Sequence, residues 1–149
     1  MKKIFFLLPA AVVTMSATFS GCKDGVGLGT FTADINGQSW SAVAPTGVKT
    51  GNRLTITGLS LNKQIVLNIN GTAPGTYDMS VITGSIQPLV YTPDVTAQGA
   101  QQTYVGTGGS IAVTEVADSR VSGNFDVSAT NGSLSVIAIS GEFRNIKLF

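Results

Sequence analysis

Phe31-Thr32-Ala33-Asp34-Ile35-Asn36-Gly37-Gln38-Ser39-Trp40-Ser41-Ala42 reads as a β-hairpin. Phe31, Ala33 and Ile35 alternate with Thr32 and Asp34, the period of a half-buried strand. Asn36-Gly37 supplies the two residues that tolerate positive φ, as a type I′ turn requires. Folding the chain back at that turn sets Ile35 opposite Gln38, Ala33 opposite Trp40 and Phe31 opposite Ala42. Large side chains then face small ones on one side of the pair. Trp40 reads as a core anchor before it reads as a ligand platform.

The same grammar continues downstream. Arg53 to Ser60 and residues 64–70 predict a second hairpin around Asn62-Lys63, with Ile56 opposite Ile69, Gly58 opposite Leu67 and Leu59 opposite Val66. Both of its faces are apolar near the tip, so it is expected to be central or covered on both sides. Asn70-Gly71-Thr72 and Asn131-Gly132-Ser133 match glycosylation sequons, but Asn-Gly is also the strongest turn signal and is read as turn here. Pro74-Gly75-Thr76-Tyr77 is a turn that leads into Tyr77-Asp78-Met79. Two apolar pieces follow, Val81-Ile82 and 86–91; Pro88 cannot donate to a ladder, so the second is placed at an edge or a bulge. Residues 92–109 are polar and rich in Gly and Gln, and are expected to be irregular, with a short strand at 102–105.

Ile111 and Val113 open another strand. Val121, Gly123, Phe125, Val127 and Ala129 share one face of the next. Ile137, Ile139, Gly141 and Phe143 share a face of the last. Ile146 and Leu148 fall on the opposite parity, which predicts a β-bulge at Arg144-Asn145. No stretch past residue 22 has helical periodicity or caps. The expected fold is an all-β antiparallel β-sandwich of about eight to ten strands.

Upstream of the domain the chain has a different character. Met1-Lys2-Lys3 is a positive n-region, residues 4–15 are apolar apart from Pro9 and Thr14, and residues 16–21 are small apart from Phe19. This is the secretory pattern, too short for a comfortable membrane span. It resembles a bacterial lipoprotein signal: Ser20-Gly21-Cys22 match the lipobox, and Phe19 stands where Leu is usual. Cys22 is the sole cysteine of the chain, and as a thiolate it can take a diacylglyceryl group. Each buried methylene adds about 0.8 kcal/mol of membrane affinity, so two or three chains hold firmly. The organisation read from the sequence is a signal peptide at 1–21, a lipidated Cys22 with a flexible tether over 22–29, and one domain over 30–149. Gly25-Val26-Gly27-Leu28-Gly29 lacks the flanking strand and helix of a phosphate loop and reads as spacer.

The resemblance extends into the domain. Phe31-Thr32-Ala33-Asp34-Ile35-Asn36-Gly37 with Trp40, Pro74-Gly75-Thr76-Tyr77, Val121-Ser122-Gly123-Asn124-Phe125 and Ile139-Ser140-Gly141-Glu142-Phe143 occur in that order. In this the chain resembles uncharacterised outer-membrane lipoproteins of Bacteroidota-type bacteria. That resemblance implies a β-sandwich and a lipid anchor at the cell outer membrane, leaves the membrane face open, and brings no assigned activity or site residue.

Composition narrows the chemistry. Histidine is absent, which removes the commonest general base and metal ligand. Loss of Lys2 and Lys3 on cleavage turns the formal charge of +1 into −1, and no basic stripe for nucleic acid is present. Asp78, Asp94, Glu115, Asp118, Asp126 and Glu142 are carboxylates that could pair for glycoside chemistry, although Asp126 and Glu142 read more simply as solvated face. No calcium-loop run or Ser–base spacing occurs, and no cofactor, metal site or catalytic residue is expected. The function expected is a non-catalytic envelope module that binds a partner protein or glycan. The alternatives are a structural envelope lipoprotein with no small ligand and a His-free hydrolase using paired carboxylates. Tyr91 and Tyr104, in the long middle stretch, are the ligand-binding candidates, because tyrosine offers flat apolar area with a polar tip. Tyr77 reads first as a plug at the end of the sandwich.

Replacing Cys22 with alanine is expected to abolish incorporation of labelled fatty acid and to release or stall the protein. Retained label and retained membrane fractionation in Cys22→Ala would overturn the anchor.

Overall fold

The computed structural model describes residue 27 and residues 29–79, 87–97 and 102–149. The signal segment, Cys22, most of the 22–29 tether and the Val81-Ile82 piece lie outside the described residues. Among the described residues there are ten strands and no helix: β1 Thr30–Ile35, β2 Gln38–Ser41, β3 Thr46–Thr50, β4 Arg53–Ser60, β5 Lys63–Ile69, β6 Gly75–Asp78, β7 Leu89–Thr92, β8 Tyr104–Ala117, β9 Arg120–Thr130 and β10 Val136–Lys147. They form one antiparallel sheet in the order β2-β1-β10-β9-β8-β7-β5-β4-β3, with β6 paired to β8. The sheet curls until its ends meet. Gly47 of β3 bridges Leu148 in parallel, and the Phe149 amide donates to the Gly47 carbonyl at 3.0 Å. The two halves of this curled sheet pack face to face like the layers of a sandwich.

Alternation produces the core directly. Phe31, Ala33 and Ile35 of β1, Val121, Phe125 and Val127 of β9, and Ile139 and Phe143 of β10 all point inward and are buried. Phe31 stands at the centre, with edge-on contacts to Trp40 at 5.5 Å, Phe125 at 5.8 Å and Phe143 at 6.4 Å between ring centroids. Three glycines on the same inner face make room for these rings. Gly141 lies opposite Phe125 and Gly123 opposite Phe143 in the β9–β10 ladder. A Cβ on Gly141 would sit 2.8 Å from the Phe125 ring, and one on Gly123 would run into that of Phe143. A Cβ on Gly58 of β4 would meet Phe31 at 2.6 Å and Trp40 at 2.7 Å. The paired Gly-x-Phe motifs of β9 and β10 are thus one device: each strand's glycine receives its partner's ring. Trp40 Nε1 is buried with no hydrogen-bond partner among the described residues, so packing fixes this indole.

Local expectations fare unevenly. Asn36 and Gly37 both take positive φ, at 52° and 85°, and the Gly37 amide donates to the Asp34 carboxylate at 2.7 Å. Ile35 pairs with Gln38 and Ala33 with Trp40, as read. The ladder shifts between Phe143 and Ile146 around Asn145 at φ 52°, which is the predicted bulge. The β4–β5 hairpin differs. Ser60 pairs with Lys63, so Leu61-Asn62 makes the turn, and Ile56 faces Leu67 while Gly58 faces Ile65. Leu61 adopts φ 52°, a conformation nothing in a leucine announces. One face of this hairpin is fully buried, but Leu59 on the other is 43% exposed, so it is not covered on both sides.

Residues 104–109, expected to be mostly irregular, begin the longest strand. β9 offers a full ladder there, and β8 accommodates its extra residues with register shifts at Gly106/Gly108 and Val113/Glu115. Gly109, at φ 96°, lies against the β9 backbone, where a Cβ would strike the Asp126 carbonyl. Gly71 serves packing: the Tyr77 ring fills the place of its Cβ, and the Tyr77 hydroxyl donates to the Ala73 carbonyl at 2.7 Å. At the β9–β10 turn the Asn131 carboxamide oxygen accepts from the Ser133 and Ser135 amides at 3.1 and 2.9 Å.

Phe125→Ala is expected to lower unfolding stability by about 3–5 kcal/mol in urea denaturation, and Gly141→Ala by about 1–3 kcal/mol through overpacking against the Thr32 carbonyl and the Phe125 ring. A Gly141→Ala protein as stable as the wild type would show that neither the β1 backbone nor the Phe125 ring needs that space.

Candidate functional site

Strand direction divides the molecule into two ends. The turns at 36–37, 61–62, 93–97 and 131–135 lie at one end, and those at 51–52 and 118–119 at the other. The chain enters the domain at the second end. There Arg120 Nη1 donates to the Gly27 carbonyl at 3.0 Å and to the Asn145 carbonyl at 2.7 Å.

The far end carries several of the most exposed aliphatic side chains. Leu61 is 93% exposed at the β4–β5 turn, and Leu134 and Val136 project from the β9–β10 turn. Val95 is tied to the same rim, its amide donating to the Asn62 carbonyl at 2.7 Å, and Val43 donates to the Leu59 carbonyl at 2.9 Å. Backbone bonds hold these segments in place, so the exposed aliphatic side chains at this end are presented from ordered turns.

Tyr91 and Tyr104 lie at this end and are brought together. They are opposite one another in the β7–β8 ladder, with ring centroids 5.9 Å apart and planes tilted by 31°. Tyr91, however, is only 5% exposed: it follows Leu89 on the inward parity of β7 and belongs to the core, not to an irregular accessible segment. Burial first, and the neighbouring Tyr104 phenol second, raise its pKa above the usual tyrosine value. Tyr104 is half-buried and keeps the surface of the pair. Tyr77 is half-buried under its own turn, in the plug position expected of it.

Asp94 orders the turn that follows β7. Its carboxylate accepts from the Thr96 hydroxyl at 2.6 Å and from the Thr96 amide at 2.9 Å. These bonds, the hydroxyl first, hold its pKa below the usual aspartate value, with smaller help from the Asn62 amide.

The outer face of the sheet is polar in a regular way that a strand-by-strand reading of the sequence misses. Ser39, Asp34, Ser140, Asp126, Ser110 and Asp78 are successive ladder partners across β2, β1, β10, β9, β8 and β6. Serines separate the aspartates, so neighbouring carboxylates in this row stand two strands, about 10 Å, apart. A shallow recess of about 510 Å³ lies over the β1 and β2 end of the row, lined by Thr32, Asp34, Ser39 and Ser140 among others. Glu142 is held by Arg144 at 2.7 Å and faces Asn124 across the ladder, not Asp126. Among the described residues no group of three or more carboxylates gathers as a metal site would require.

A family model described as a domain of unknown function, DUF6252, matches residues 29–147. The chain belongs to the DUF6252 family. The match covers the whole curled sheet, from the residue before β1 to the last of β10. No curated protein and no solved structure matches the chain.

Because the Asp94 pKa is depressed, the turn is supported fully above the ordinary carboxylate range and loses that support as pH falls through the depressed value. An NMR titration should place the Asp94 midpoint below that of a model aspartate, and Thr96→Val should move it back upward. A midpoint unmoved by Thr96→Val would assign the shift elsewhere.

Proposed function

We propose that this protein is a non-catalytic, lipid-anchored component of the outer cell envelope, held by acylated Cys22, whose far end binds a partner protein or a glycan. One observation carries the reading. The chain enters at the end where Arg120 grips Gly27, while Leu61, Val95, Leu134, Val136 and the exposed part of Tyr104 gather at the opposite end. An anchored domain of this build presents its apolar rim away from the membrane. Aliphatic tips around a half-buried tyrosine suit a protein surface or the apolar face of a sugar, with the polar rim giving orientation. A purely structural envelope protein has less use for leucines exposed at two separate turns. The hydrolase alternative gains little: the carboxylates of the outer row stand on an open sheet face rather than across a cleft, and Glu115 and Asp118, which share a recess, enclose only about 90 Å³, well below the volume of a ligand site.

Leu61→Ser combined with Leu134→Ser should leave the far-UV circular dichroism unchanged and cut recovery of the envelope partner or glycan captured by the wild type several-fold. Tyr104→Ala should do the same to a lesser degree. A wild-type chain that captures nothing from envelope extracts and glycan arrays, or a double variant that captures equally well, favours the structural reading instead.

A further inference from the structure

We propose that the end of the sheet where the chain enters rests on a bilayer surface bearing anionic headgroups, with Phe149 in the interface and Lys49 and Lys147 at the lipid phosphates. This rests on the anchored reading above and adds to it how the domain stands on the membrane.

The first support is reach. Cys22 stands five residues before Gly27, and a chain of that length spans at most about 18 Å. Gly27 itself is held to the sheet through Arg120. An acylated Cys22 therefore keeps this end close to the headgroups.

The second support is charge. Lys49, Arg53, Arg120, Arg144 and Lys147 lie at or toward the chain-entry end, at the ends of β3, β4, β9 and β10. Of the described cations only Lys63 lies at the far end. The acidic groups near the base are Glu115, Asp118 and Glu142, and Glu142 is paired with Arg144. The domain as a whole carries no excess of positive charge, so this is a gathering of cations at one end.

The third support is apolar surface beside those cations. Phe149 is 64% exposed and Val48 is 45% exposed. The Lys147 ammonium lies 4.9 Å from the Phe149 ring centroid. The ring borders a recess of about 410 Å³ shared with Lys49, Val116, Asp118 and Leu148. An aromatic ring flanked by lysines fits a membrane interface: the ring takes the boundary with the acyl chains, while the ammonium groups stay at the phosphates. An anionic polysaccharide would use the same cations but would not bring the ring next to acyl chains.

The test uses the full acylated chain in vesicles of phosphatidylethanolamine and phosphatidylglycerol carrying brominated acyl chains, with the buried Trp40 as the background. Phe149→Trp should show blue-shifted emission and several-fold stronger quenching than Leu61→Trp at the opposite end. Adding Lys49→Glu and Lys147→Glu, or replacing phosphatidylglycerol with phosphatidylcholine, should shrink that difference. A chain that floats with the vesicles while the Phe149→Trp indole is quenched no more than the Leu61→Trp indole overturns the proposal. A chain without acyl label on Cys22 that does not float overturns the anchored reading and this one together. A chain without acyl label that still floats and shows the quenching difference supports the surface and overturns only the anchor.

Discussion

The fold depends on rings meeting glycines. Phe31, Trp40, Phe125 and Phe143 form one edge-on cluster, and Gly58, Gly123 and Gly141 give up their side chains so that this cluster can lie against three backbones. Glycine in a strand costs conformational entropy and leaves nothing to pack. Here that loss is offset by large aromatic area removed from water, with favourable ring geometry in addition. Gly58 matters beyond its own strand, because it lets β4 approach the rings of β1 and β2 and so brings the two halves of the curled sheet together.

A sheet organised this way has two unlike ends, and the functional argument follows from the difference. At one end the strands finish in cations, an exposed phenylalanine and the guanidinium that holds the incoming chain. At the other they finish in aliphatic turns around a tyrosine pair. The convex face between them is ruled by an alternating serine and aspartate row, which keeps the long central strands soluble and spaces the carboxylates apart. Each surface has a chemistry of its own.

Much of the fold was legible because it is encoded locally. Asn36-Gly37 announces its turn through the positive φ both residues accept, and the parity change between Phe143 and Ile146 can only be absorbed by an extra residue. What escaped was set by tertiary context. The Leu61-Asn62 turn is forced by the partners that Ile56 and Gly58 find in β5, so Leu61 takes a backbone conformation its side chain does not favour. The glycines and glutamines before Ile111 look like loop until β9 supplies a ladder for them. The same blindness affected the site. Nothing in the sequence singled out Leu61 or Leu134 as exposed tips, whereas Tyr91 read as accessible and is core. Its neighbour Tyr104 could be placed only once β7 and β8 were seen to pair.

The pairing of β1 with β10 sets an order of events. The first strand of the domain has only its short hairpin partner until residues 139–144 arrive to form its other side. Gly47 likewise waits for Leu148 before the sheet can shut. Joining segments so far apart carries a loop-closure cost that grows with the logarithm of their separation, and sheets dominated by such contacts fold slowly. A chain emerging in order from Thr30 onward can therefore form local hairpins but not its aromatic centre, because Phe143 comes almost last. Its unfolded lifetime is therefore set by its topology, and the aromatic centre is among the last parts of the fold to form.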